Sequence, residues 1–243
     1  MRGRVASGRT RSEAASRGSA ARGRFFRVET DSLPLWIDVF AMSINGLFGA
    51  ALARSGRMPV AATLVSGLII GLGGGISRDV LLGLEPTMIS EWEYVPGVLA
   101  ASVIGGLTGR FFASRDWYLV ALQGVCVGLL ITVGVQKGLD YEVPVPSAIL
   151  LGVVTATAGR LIFDAVARGR SPMFGRGRMY LSILITSSLV FWAGTELIGF
   201  YPSVAIAVAV TVVMTVAGQS RGWRSPEWPG DRADDGSGGS GTS

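Results

Sequence analysis

The sequence has no histidine, and it has only one cysteine and one lysine among its 243 residues. Without histidine, the commonest general base and the commonest metal ligand are missing. The single cysteine, Cys126, excludes an internal disulfide and a cysteine-based zinc site, and its apolar neighbours predict a packing role. These absences argue against an enzyme, and no cofactor or metal is expected.

Charge is also scarce, since 16% of the residues are charged, whereas a soluble domain usually has about 25%. The hydrophobic fraction is 49%, the mean hydropathy is +0.46, and the net charge of +5 is carried almost wholly by arginine. The charges collect at the two chain ends and in short runs between apolar segments. This pattern predicts a lipid-facing surface, so we expect the lipid bilayer as a partner and no nucleic acid.

Between two polar tails, at 1–32 and 219–243, the apolar residues form seven segments. The tails are predicted to be disordered, although the arginine-rich N-terminal tail also resembles a transit peptide. A helix of roughly 20 residues spans the hydrocarbon core of a bilayer. The predicted fold class is therefore an all-α integral membrane protein with seven spans, at 33–53, 58–84, 94–113, 117–136, 144–167, 179–198 and 202–218.

The charges of the short loops predict the orientation of the spans. Arginines occupy the odd loops and follow the last span, whereas the even loops carry mostly acidic residues. Basic residues in short loops stay in the cytoplasm. The C-terminus is therefore predicted to be cytoplasmic and the N-terminus outside.

The chain repeats itself with a shift of 85 residues that preserves glycine, proline and aspartate. Each copy has three spans, so the second copy enters the membrane from the opposite side. The predicted plan is an inverted repeat of 33–116 and 117–200 followed by a seventh helix at 201–218, which is typical of transport proteins. A duplicated helical anchor without a pathway is the alternative. The matched pairs are Gly49/Gly134, Pro59/Pro144, Gly67/Gly152, Gly74/Gly159 and Asp79/Asp164, then, at a shift of 86, Gly83/Gly169, Pro86/Pro172 and Tyr94/Tyr180.

The second span contains three consecutive glycines, Gly73, Gly74 and Gly75. Each weakens a helix by roughly 1 kcal/mol relative to alanine, and such a run can kink the helix and free backbone carbonyls beside a water-filled cavity. Alternatively, the glycines permit close packing of helices. Only Gly159 remains of the three in the second copy, where Arg160 follows it.

Arg78 and Asp79 follow the glycines inside the span, where an unpaired charge costs several kcal/mol. They either pair structurally or line a polar pathway. In the second copy Phe163 replaces the arginine, but Arg160 precedes Asp164 by one helical turn and can pair with it. The inversion is predicted to place the two aspartates on opposite sides of a central constriction.

Three further polar residues lie within or at the end of a span. Asp38 in the first span aligns with Gln123 in the fourth. Each is predicted to make a polar contact between helices, with a pathway role as the alternative. Lys137 ends the fourth span, where its long side chain can extend to the membrane surface.

The motif from Gly73 to Asp79, followed by Leu-Leu-Gly83 and Pro86, resembles the bacterial members of the trimeric intracellular cation channel family, also known as the glycine-transporter domain family. The resemblance extends to Gly134-Val-Gln-Lys137 and to the second copy. It implies a homotrimer in a bacterial plasma membrane, with one pore in each protomer shaped by kinked second and fifth helices. The pathway residues that it implies are Gly73, Gly74, Gly75, Asp79, Gly159 and Asp164.

The leading functional hypothesis is the passive passage of a monovalent cation such as potassium. The second is transport of a small zwitterion such as glycine, whose opposite charges Arg78 and Asp79 would match. The third is a scaffold without transport, in which the glycines only pack. Departures from the family pattern at Gln123, Arg160 and Phe163 bear on the choice of ion.

Overall fold

The computed structural model describes residues 34–113, 116–168 and 180–221, and within these ranges the regular structure is entirely helical. The predicted tails at 1–32 and beyond Arg221 lie outside them, as do the second copy's Gly169 and Pro172. The seven long helices are α1 (Leu35–Ser55), α2 (Val60–Leu81), α3 (Tyr94–Ala113), α4 (Asp116–Asp140), α5 (Val145–Arg168), α6 (Tyr180–Ile198) and α7 (Phe200–Ser220).

The helices begin and end where proline and glycine stand in the sequence. Pro34 and Pro59, with φ of −60° and −58°, precede the first residues of α1 and α2. Proline fixes φ near the helical value and lacks the N–H that the first turn leaves unpaired. Gly83, with φ of +70°, follows the end of α2, and Gly199, with φ of +86°, separates α6 from α7. The predicted second span was too long, because Gly83 ends it early, and a four-residue helix at Thr87–Ser90 fills the following loop.

Six of the long helices are long and apolar enough to cross a membrane. The exception is α3, whose 20 residues, at 1.5 Å each, still reach about 30 Å. With its neighbours spanning the bilayer, α3 packs lengthwise against α1.

The distribution of apolar and charged side chains in the bundle is that of a protein in lipid. Large apolar side chains face outward, among them Leu107 at 79% and Leu197 at 82% exposed, while Arg78 and Asp164 are fully buried. Charged residues inside a membrane bundle face its interior. The prediction of an all-α integral membrane protein is confirmed.

The two predicted copies make equivalent packing contacts. A methyl group placed on Gly49 of α1 would lie 3.2 Å from the Cα atom of Gly67 on α2. A methyl group placed on Gly134 of α4 would lie 2.8 Å from the Cα atom of Gly152 on α5. The α1–α2 contact is thus repeated as the α4–α5 contact, and α2 packs against its own counterpart α5. The seventh helix, α7, packs along α4 and α6.

Candidate functional site

The centre of the bundle is the crossing of α2 and α5, where glycines bring the two backbones together. A methyl group on Gly73 would lie 2.8 Å from the Cα atom of Gly159, and one on Gly159 would lie 3.2 Å from the backbone nitrogen of Gly74. A methyl group on Gly74 would collide with the carbonyl oxygen of Thr155. Because Gly74 and Gly159 are equivalent in the repeat, this crossing lies on the pseudo-two-fold axis.

Helix α2 is continuous from Val60 to Leu81, the three glycines included. The side-chain amide of Asn45 on α1 donates a hydrogen bond to the carbonyl oxygen of Ile70, which in an α-helix also accepts from Gly74. The third glycine, Gly75, faces the side chain of Met42 instead of α5. Close packing is therefore the observed role of the three glycines. The carbonyl of Ile70, one turn before Gly74, also accepts a hydrogen bond from another helix.

A buried network of charged side chains lies at one end of this crossing. Arg78 is fully buried and donates from both terminal nitrogens to Asp38, at 3.1 and 2.9 Å, and from Nε to Asp79, at 2.9 Å. Tyr94 donates its hydroxyl proton to Asp38 at 2.9 Å. Helices α1, α2 and α3 thus meet at the carboxylate of Asp38, which accepts from Arg78 of α2 and Tyr94 of α3.

Asp79 connects this network to the α2–α3 loop and to α4. Its Oδ2 accepts from the backbone nitrogen of Thr87 at 2.8 Å and from the Thr87 hydroxyl at 2.6 Å. Its Oδ1 accepts from Lys137 at 3.0 Å, and Lys137 also donates to the Thr87 hydroxyl at 3.0 Å. The carboxylate is saturated with donors, and Lys137 points into the bundle instead of to the membrane surface, with 13% of its side chain exposed.

The charges of this network sum to zero, because Asp38 and Asp79 balance Arg78 and Lys137. Buried ions are tolerated when they are paired and when their remaining donors and acceptors are satisfied. A small cavity of about 10 Å³ borders the network between Met42, Gly75 and Tyr94. A space of this size holds about one water molecule.

The other end of the crossing carries a reduced version of the network. The side chains of Tyr180 and Gln123 are hydrogen-bonded, which repeats the contact of Tyr94 with Asp38. Phe163 stands where the first copy has Arg78 and is 2% exposed. Arg160 forms the ion pair that the sequence suggested, with its Nε 3.3 Å from Asp164. The two polar clusters lie at opposite ends because α2 and α5 end at opposite sides.

The structure brings the predicted residues together in three groups. Asp38, Arg78, Asp79 and Lys137 form one network, Gly73, Gly74 and Gly159 form the crossing, and Gln123, Arg160 and Asp164 lie beyond it. Among the described residues no group of three or more histidine, cysteine, aspartate or glutamate side chains could hold a metal ion.

Sequence reasoning did not assign a site role to Asn45, Thr87 or Tyr94. The match of Tyr94 with Tyr180 in the repeat was a usable signal for one of them. The other two are polar residues among apolar neighbours and had no signal of their own.

Comparison with known proteins agrees with this architecture. The family described as "Glycine transporter" matches the chain twice, over residues 35–114 and 120–196, which correspond to the two copies. The UPF0126 inner membrane protein YadS of Escherichia coli K12 is 27% identical over 163 residues, which cover 65% of this chain and 77% of YadS. A UPF0126 membrane protein of Vibrio cholerae is 26% identical over 181 residues, covering 74% of this chain and 75% of its own.

The chain is also similar to a solved structure over almost the whole length of that structure. That structure is the TRIC trimeric intracellular cation channel orthologue from Rhodobacter sphaeroides, which is 29% identical to this chain with a TM-score of 0.65. The similarity covers 77% of this chain and 97% of the Rhodobacter chain. The recognised family and the duplicated fold are thus confirmed by sequence and by structure.

Proposed function

From the premise that this chain belongs to the glycine transporter family of membrane proteins, we propose that it is a channel for monovalent cations such as potassium. The observation that most supports this proposal is the pair of buried polar clusters at the two ends of the α2–α5 crossing. An anchor in lipid has no need of four buried charges, which are costly in a membrane and mark ion pathways in other membrane proteins. The similar Rhodobacter protein is itself described as a cation channel. The present chain is accordingly proposed to act as a channel and not as an enzyme.

The proposed pathway runs along the crossing within each protomer. Its residues are the glycines of the crossing and the charged side chains at each end, namely Gly73, Gly74, Gly75, Arg78, Asp79, Gly159, Arg160 and Asp164. With Arg78 bound to two aspartates and Asp79 bound to Lys137, the end formed by α1, α2 and α3 is closed. Conduction requires this network to rearrange, because the adjoining cavity of about 10 Å³ is too small for a hydrated ion.

The assembly and placement follow from the relatives. A trimer is proposed because the Rhodobacter protein is described as trimeric. A bacterial inner membrane is proposed because YadS is described as an inner membrane protein. The arginines of the odd loops support a cytoplasmic C-terminus and an N-terminus outside.

Purified protein in liposomes tests the proposal. Potassium efflux down a gradient, absent from empty liposomes, is expected, and Asp79→Asn is expected to change its rate. Saturable uptake of glycine without potassium efflux would instead support a zwitterion transporter, which Arg78 and Asp79 could serve. Absence of both fluxes from protein shown to be folded would support a scaffold.

A further inference from the structure

Arg160 occupies a position at which the first copy has a glycine packed against the side chain of Met42. It is equivalent to Gly75 under the shift of 85 residues. In the first copy Gly75 has no side chain, and it borders the small cavity beside Arg78 and Tyr94. In the second copy the same position of α5 projects an arginine side chain, directly after the glycine that packs against α2.

The contacts of Arg160 hold its charge beside the crossing. Its Nε lies 3.3 Å from Asp164, and its guanidinium carbon lies 5.8 Å from the centroid of the Phe48 ring on α1. A guanidinium at this distance is attracted to the face of the ring. Phe48 belongs to an apolar cluster with Ile70, Cys126 and Phe163. Arg160 is therefore flanked by residues of the bundle interior.

The two arginines of the repeat differ in how firmly they are held. Arg78 is fully buried and bonds two carboxylates through three nitrogens. Arg160 contacts Asp164 through Nε at 3.3 and 3.4 Å, and 14% of its side chain is exposed. A positive charge beside a pathway repels cations, and it does so more strongly than it would in bulk water.

We infer that Arg160 determines the cation conductance and charge selectivity of this protein, by placing side-chain volume and positive charge where the first copy has Gly75. The inference depends on the proposed channel function. The two ends of the pathway then differ, because Arg78 is held by three hydrogen bonds at one end and Arg160 is held more loosely at the other. Because the arginine is held differently at the two ends, cation current is expected to be larger in one direction than in the other.

Single-channel recording in planar bilayers with potassium chloride tests this inference with three variants and a control. Arg160→Gln removes the charge and keeps most of the volume, Arg160→Gly restores the first copy's residue, and Arg160→Lys keeps the charge. Arg110→Gln is the control, because it removes an exposed arginine near the same end of the bundle. Trimer content and thermal stability are measured for every protein.

Arg160→Gln and Arg160→Gly are expected to raise the unitary potassium conductance by roughly threefold or more, the effect of removing one nearby unit charge. Both should also reduce the difference between inward and outward current, while Arg160→Lys and Arg110→Gln stay close to the unaltered protein. If folded Arg160→Gln and Arg160→Gly conduct like the unaltered protein, the inference is wrong and the channel function stands. An unaltered protein that carries no potassium current would overturn the channel function itself.

Discussion

Replacing Asp38 with asparagine is expected to destabilise the protein strongly, because it leaves a buried arginine without its main partner. Asp38 accepts two hydrogen bonds from Arg78 and one from Tyr94. The substitution changes the net charge of the network from zero to +1, since Arg78 and Lys137 then face Asp79 alone. Removing one partner of a buried ion pair costs about 3–5 kcal/mol, and we expect the free energy of unfolding to fall by about that amount.

Removing both charges is expected to cost much less. Arg78→Met added to Asp38→Asn restores a net charge of zero, because Asp79 keeps its ion pair with Lys137. Replacing a buried ion pair with apolar residues of similar volume is often nearly neutral. The second copy already has uncharged Gln123 and Phe163 at the equivalent positions. We expect the double variant to lie within about 2 kcal/mol of the unaltered protein.

The assay is reversible unfolding in mixed micelles with an increasing fraction of denaturing detergent, followed by the fluorescence of the six tryptophans. Arg110→Gln, at an exposed position on α3, is the control and is expected to change the free energy of unfolding by less than about 0.5 kcal/mol. Arg78→Met alone is measured as well, and the reasoning is refuted if Asp38→Asn costs less than about 1 kcal/mol, or if the double variant loses as much as the two single variants together.

Two further predictions concern the crossing and the tyrosines. Gly159→Ala is expected to cost about 1–3 kcal/mol or to separate α2 from α5, because its Cβ would approach the Gly74 nitrogen to 3.2 Å. Gly218→Ala, whose Cβ would meet Ile183 Cδ1 at 3.8 Å, is the matched tolerated change, and equal losses for the two would contradict the packing argument. Tyr94→Phe is expected to cost about 1.5–3 kcal/mol because its hydroxyl donates to a carboxylate. Tyr180→Phe, which loses a bond to a neutral amide, should cost about 0.5–1.5 kcal/mol. A larger loss in the free energy of unfolding for Tyr180→Phe than for Tyr94→Phe would contradict the network.

Much of the fold could be predicted because a bilayer imposes simple constraints on sequence. The lengths of the apolar segments predicted the seven helices, and the prolines and glycines at the helix ends can be identified in the sequence. The repeat was readable because Gly49, Gly67 and their counterparts are packing positions where a side chain does not fit. The end of α2 was misplaced because Leu84 continues the apolar run after Gly83, whose positive φ ends the helix.

The site was less predictable, because its bonds join residues that are far apart in the sequence. Arg78 and Asp79 were identified as costly charges, but the sequence offered no way to know that Asp38 lies 2.9 Å from Arg78 across two helices. Lys137 was expected to reach outward, since a lysine at a span end usually does. It points inward because Asp79 and Thr87 together offer it two oxygens. The pair of Arg160 and Asp164 was predictable because it needs only the spacing of one helical turn.

The measurement that tests the central claim most directly is the reversal potential of the purified protein in a planar bilayer under a tenfold gradient of potassium chloride. A cation-selective pathway predicts a reversal potential close to the potassium equilibrium value, about 59 mV in magnitude for one charge. Arg160→Gln is expected to move the reversal potential closer to that value. A reversal potential of zero, or one of the opposite sign, from trimers shown to be folded would contradict a cation pathway along the α2–α5 crossing.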